Sequence, residues 1–203
     1  MNVATLPPSG PCAPPRSAAG TAVEVLALHD GSVVDVRPID PADACRLRRM
    51  FDRLSPASIY FRFFAPVRRP RAATLEHLAS VDHDRREALV AVVDDEIIAV
   101  ARYDSGVEPS GAVRSEAELA VTVEDAWQRR GLGLLLARRL AAVARRRGYT
   151  AFTASVLGEN RAALALMRAI GPDVEVRFAS AEYEVYVPLR DGDDDVAVRS
   201  RVR

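Results

Sequence analysis

The sequence predicts an α/β domain, and three observations carry that prediction. Short β-branched runs alternate with segments of helical apolar period between about residues 21 and 190, the pattern of a sheet covered by helices. The chain has 203 residues, the length of one domain with a full core. Apolar residues make up 49% and charged residues 28%, an ordinary globular balance.

Residues 1–20 hold five prolines among Gly, Ser and Ala, the composition of a disordered leader. Residues 32–37 form a β-branched strand led in by the Asp30-Gly31 turn. Asp40-Pro41 then opens a helix, with Asp40 as N-cap and Pro41 at the first helical position. Its apolar stripe is Ala44, Leu47, Met50, Phe51 and Leu54. Ser55-Pro56 caps a second helix carrying Ile59, Tyr60, Phe63 and Phe64, and residues 74–79 make a short third one. Residues 88–93 and 97–103 form a hairpin across Asp94-Asp95-Glu96, and residues 116–123 form the next strand. A helix over 131–147 shows Leu132, Leu135, Leu136, Leu140 and Val143 on one side and stops at Gly148. A strand at 151–156, a helix at 160–170 and strands at 174–178 and 183–189 complete a domain spanning 21–190. The Asp191-Gly192-Asp193-Asp194-Asp195 run opens a flexible tail over 191–203.

Charge and composition exclude several classes. The 28 basic residues balance 28 acidic ones, so no net field draws nucleic acid or an anionic membrane. No apolar stretch reaches about eighteen residues, which excludes a helical membrane span. Two cysteines, Cys12 and Cys45, make no disulfide framework, and with no signal-peptide pattern they predict a cytoplasmic protein. The three histidines have no metal-ligand spacing, so no metal is expected. Every basic residue is arginine, so no side-chain amine on this chain can be acylated.

The chemistry-bearing stretch runs from Glu118 to Leu134. A strand ends at Val123, a short loop follows, and a helix begins near Gly131. Glycines spaced G-x-G let backbone amides turn inward, and with the helix dipole they make an anion site fit for a pyrophosphate. Arg129 and Arg130 add positive charge there. A Walker A loop is excluded because it needs a lysine, and a dinucleotide fingerprint fails at Leu136, where a third glycine belongs.

Gln128-Arg129-Arg130-Gly131-Leu132-Gly133 matches the Q/R-x-x-G-x-G/A signature of the GNAT acetyltransferases, which this chain therefore resembles. Val121 and Val123 before the turn, Asn160 at the head of the later helix and Gly171 at its end extend the likeness. The resemblance implies a mixed, mostly antiparallel sheet of about seven strands with four to five helices on both faces. Within the family, Asp30 to Val34, Ser55 to Phe64, Glu118 to Val121 and Leu157 to Asn160 resemble bacterial protein lysine acetyltransferases of the Pat kind.

That resemblance implies acetyl-CoA as acyl donor and a protein lysine as acceptor, with an acyl-CoA synthetase as one candidate partner. It assigns cofactor contacts to Val121, Thr122 and Val123, to Gln128, Arg129, Arg130, Gly131, Leu132, Gly133 and Leu134, and to Asn160. It places the general base at Glu118, which shares one strand face with Glu116, Ala120 and Thr122. Where many relatives carry a tyrosine that protonates the leaving thiolate, this chain has Met167. Two alternatives stay open: acetylation of a small-molecule amine, and a non-catalytic acetyl-CoA sensor. Phe61, Phe63 and Phe64 read as core packing ahead of an acceptor groove.

Overall fold

The computed structural model describes Cys12 and residues 23–67, 69–106 and 115–190. The leader and the tail read from the sequence lie, Cys12 apart, outside those residues. Eight strands form one sheet: β1 (Glu24–Ala27), β2 (Val33–Pro38), β3 (Arg86–Val93), β4 (Glu96–Asp104), β5 (Glu116–Val123), β6 (Ala151–Leu157), β7 (Glu175–Ala179) and β8 (Glu182–Pro188). Their order is β1-β2-β3-β4-β5-β6-β8-β7. Every pairing is antiparallel except that of β5 with β6. The expected mixed, mostly antiparallel sheet is present, with β1 added to the seven strands read from the sequence.

Five α-helices cover the sheet: α1 (Ala44–Arg53), α2 (Pro56–Phe63), α3 (Ala72–Ala79), α4 (Leu132–Arg146) and α5 (Arg161–Ile170). Helices α4 and α5 bury one face through Leu132, Leu136, Leu140, Leu164 and Met167 against Ala101, Tyr103 and Leu119. Helices α1 to α3 bury the other through Leu47, Met50, Phe51, Ile59 and Leu75 against Val90, Ile97 and Val100. Strands β3 and β4 lie between both layers, which is why they read as nearly continuous apolar runs.

Local chemistry sets the element ends. Asp40 and Asp43 form a reciprocal capping box around the 3-10 turn that leads into α1. Buried Asp43 also accepts two hydrogen bonds from the Arg37 guanidinium, at 2.7 and 2.8 Å. Ser55 caps α2 by accepting from the Ser58 amide. Asp94 and Asp95 both take positive φ in the β3–β4 turn, as tight hairpins require.

One cysteine expectation is corrected. The structure joins Cys12 to Cys45 of α1 in a disulfide, with their Cα atoms 5.9 Å apart, within the reach of such a bond. Among the described residues no helix is long and apolar enough to cross a membrane.

Candidate active site

Strands β5 and β6 pair only from Glu116↔Ala151 to Glu118↔Thr153, and then part. Beyond that point β5 stays on β4 while β6 stays on β8. The Glu124 amide donates to the Ile98 carbonyl of β4 at 2.9 Å. Backbone groups alternate sides along a strand, so even-numbered residues of β5 turn their amides to β4 and odd-numbered ones to the gap. Val121 and Val123 therefore present free amides to the opening. The Thr122 amide points the other way, so only its side chain is available for a ligand contact.

The turn after β5 leaves a row of backbone donors open. Arg129 and Gly131 both have positive φ, +60° and +84°. No group among the described residues accepts from the amides of Arg129, Arg130 or Gly131. Helix α4 starts at Leu132 with Gly131 as N-cap, no side-chain cap and no acid in its first turn, so its leading donors, Leu132, Gly133 and Leu134 among them, are open. Arg130 stacks on Trp127 at 4.7 Å and pairs with Asp30 at 3.0 Å, which holds its guanidinium beside the turn. Gln128 faces the gap differently: its Nε2 donates to the Val123 carbonyl at 3.1 Å and to the Ser58 hydroxyl at 3.2 Å. It thereby braces the turn against α2. Gly133 lies inside α4, where an added Cβ would come within 2.7 Å of the Leu166 side chain of α5. Asn160 caps α5 through its Oδ1, which accepts from the Ala163 amide at 3.1 Å, and leaves its amide nitrogen free.

Glu118 is exposed at the last paired position, on the sheet face that carries α1 to α3. Cross-strand register sets Asp104 opposite Glu118, Arg102 opposite Ala120 and Val100 opposite Thr122. On this face Arg62, Arg102, Ala120 and Thr122, with Leu47, Phe51, Leu78 and Val100, line a small cleft whose free space of about 10 Å³ has room for about one water. Burial lowers the basicity of the Arg62 guanidinium, and the Glu118 carboxylate opposes that shift. Burial and the nearby Arg62 charge bring Arg102 down to about 10. The Thr122 hydroxyl is buried without a hydrogen-bond partner. Among the described residues, no group of three or more His, Cys, Asp or Glu side chains is placed to hold a metal.

Sequence reasoning missed Arg62 and Arg102. Each lay inside an apolar run, and a lone arginine between aromatic or strand residues was their only signal. The phenylalanines around Arg62 do pack as expected in part: Phe63 meets Phe51 at 5.5 Å, while Phe64 is exposed.

Comparison with known proteins places this geometry. Residues 49–171 match the model of the acetyltransferase (GNAT) family. An acetyltransferase of Pseudomonas aeruginosa is 34% identical over 195 residues, which cover 92% of this chain and 95% of that protein. The acetyltransferase Pat of Mycolicibacterium smegmatis is 32% identical over 144 residues, covering 71% of this chain. The aligned region is 42% of that longer protein. The crystal structure of the GNAT domain of S. lividans PAT superposes with a TM-score of 0.74 at 34% identity, covering 81% of this chain and 96% of that one.

Proposed function

The chain belongs to the GNAT family of acetyltransferases and takes acetyl-CoA as its acyl donor, and on that premise we propose that it acetylates a lysine ε-amine of a protein, with Glu118 as general base. The observation that carries the chemistry is the position of Glu118, the last paired residue before β5 and β6 part. A carboxylate there stands at the mouth of the opening, beside the free amides of Val121 and Val123.

The residues divide the work. The open amides of the turn from Arg129 to Gly131, with the first turn of α4, receive the pyrophosphate. Arg129 and Arg130 add charge to that cradle, and Gln128 fixes its distance from α2. Val121, Val123 and the free amide nitrogen of Asn160 hold the pantetheine arm. The thioester supplies an activated acetyl group, and the Val121 amide offers a hydrogen bond to its carbonyl oxygen as negative charge develops there. A lysine ammonium has an ordinary pKa near 10.4, so the attacking amine must first lose a proton. Glu118 takes that proton, directly or through one water. Met167 is on the buried face of α5 and offers no proton to the departing thiolate, whose thiol pKa near 8.5 makes it a tolerable leaving group.

Protein lysine as acceptor is supported by the likeness to the Pat acetyltransferases, which extends over most of this chain; an acyl-CoA synthetase is the partner class to try first. The test is an acceptor screen with labelled acetyl-CoA, setting cell lysates and purified acyl-CoA synthetases against a panel of small amines. Label on protein lysines is the expected result, and label confined to small amines would overturn it.

A further inference from the structure

The cleft beside Glu118 brings two half-buried guanidiniums together, with the Glu118 and Asp104 carboxylates as their nearby opposite charges. Arg62 makes no ion pair among the described residues: the Phe63 ring lies 5.2 Å from its guanidinium, and Glu118 acts on it only as a nearby charge. Arg102 donates one hydrogen bond, to the Leu78 carbonyl at 2.6 Å, and otherwise faces the same space. Most of the chain's other half-buried arginines are matched: Arg37 by Asp43, Arg53 by Glu96 and Glu124, Arg147 by Glu87. Glu118 and Asp104 offset the Arg62 and Arg102 guanidiniums without forming an ion pair with either among the described residues, so a carboxylate in direct contact with both would lower the cost of their partial burial. The Thr122 hydroxyl, buried and without a partner, lies at the base of the same cleft.

The cleft is distinct from the anion site of the donor. The open amides of the turn lie at the N-terminus of α4, whereas Arg62 and Arg102 belong to α2 and β4 on the face covered by α1 to α3. Arg102 stands opposite Ala120, two residues inward from Glu118 on β5. That spacing is about 7 Å along a strand.

We infer that Arg62 and Arg102, at the mouth of this cleft, read a carboxylate carried by the acceptor, with Arg102 two strand positions, about 7 Å along β5, from the Glu118 that meets the amine. The inference rests on the reading of Glu118 as the base, and it narrows the acceptor to amines with an acidic group nearby. The carboxylate has two sources: an Asp or Glu flanking the lysine of a protein, or the acid group of a free amino acid.

Matched acceptors distinguish them. One pair is a lysine peptide with Glu beside the acceptor and the same peptide with Gln. The other is 6-aminohexanoate and hexylamine, where five methylenes set a comparable distance between amine and acid. In whichever pair turns over, the acidic member should have a kcat/KM about 10- to 100-fold higher, the worth of a charge-assisted contact. Arg62→Gln and Arg102→Gln should each reduce that preference about tenfold, mainly through KM, while acetyl-CoA affinity stays unchanged. Arg62→Gln leaves the Arg102–Leu78 bond intact, so it remains informative if the Arg102 variant folds poorly. Equal kcat/KM within both pairs, or a preference unmoved by Arg62→Gln, overturns the inference. Turnover of the small pair alone would remove the protein acceptor and keep the carboxylate. If neither pair is acetylated, N-acetylglutamate titrated by NMR decides: binding lost in Arg62→Gln supports the cleft, and absent or unaltered binding overturns it.

Discussion

At the scale of the residue, Glu118 and Gly131 are where chemistry and conformation are most exposed to test. Glu118 sits at the mouth of the opening with its side chain in solvent, so its removal costs the fold little. Glu118→Gln keeps the shape and deletes the base. It should lower kcat by about 10²- to 10⁴-fold while acetyl-CoA affinity and melting temperature hold. Near-normal turnover in that variant, with Glu116→Gln inactive, would move the base two residues upstream. Gly131 has a φ of +84°, and a Cβ added there would lie 2.7 Å from the His29 ring. Gly131→Val therefore strains the backbone and pushes on β1–β2 at once. Acetyl-CoA binding measured by calorimetry should weaken tenfold or more in a folded variant, and unchanged affinity would take the pyrophosphate out of this turn.

At the scale of the element, the corner between α1 and α2 is tied to the cofactor turn by one carboxylate. Asp125 accepts from the Ser55 amide at 2.9 Å, the Ser55 hydroxyl at 2.7 Å and the Ser58 hydroxyl at 2.9 Å. Burial pushes its pKa up, but these hydrogen bonds outweigh it and hold the group below its ordinary value of 3.8. A carboxyl depressed in the folded state contributes stability above its unfolded pKa and loses it as pH falls through the folded one. Asp125→Asn should thus cost about 1 kcal/mol at neutral pH, kept small by solvent exposure. The gap between wild type and variant should close in denaturation curves taken below about pH 4. A gap constant from pH 7 to pH 3 would mean that the ionised form is not what holds the corner.

At the scale of the whole molecule, most of the architecture was legible because its punctuation is local. Asp40-Pro41, Ser55-Pro56, Asp94-Asp95 and Gly148 each act within a few residues, so strands and helices could be placed between them. The short edge strand β1 escaped because four residues give too little period to read, although the Asp30-Gly31 turn that precedes β2 is also its own hairpin turn. The Cys12–Cys45 bond joins positions 33 residues apart and left no local mark. The proposed donor half of the site could be read for the same reason as the helices: apart from Asn160 it is one contiguous stretch, from Val121 to Leu134. The acceptor half could not. Arg62 and Arg102 are forty positions apart and meet only because α2 lies across β5 while β4 pairs with it.

The short β5–β6 pairing divides the sheet into a five-stranded part and a three-stranded part, joined by three register pairs and by α4, whose own sequence links them. The two parts are leaves of one book, and the gap between them is where a pantetheine arm would lie as a missing rung. The donor then acts as mortar as well as substrate. A ligand that binds only the folded form adds stability in proportion to the logarithm of its concentration over its dissociation constant. The stability of the folded chain would therefore rise with the supply of acetyl-CoA.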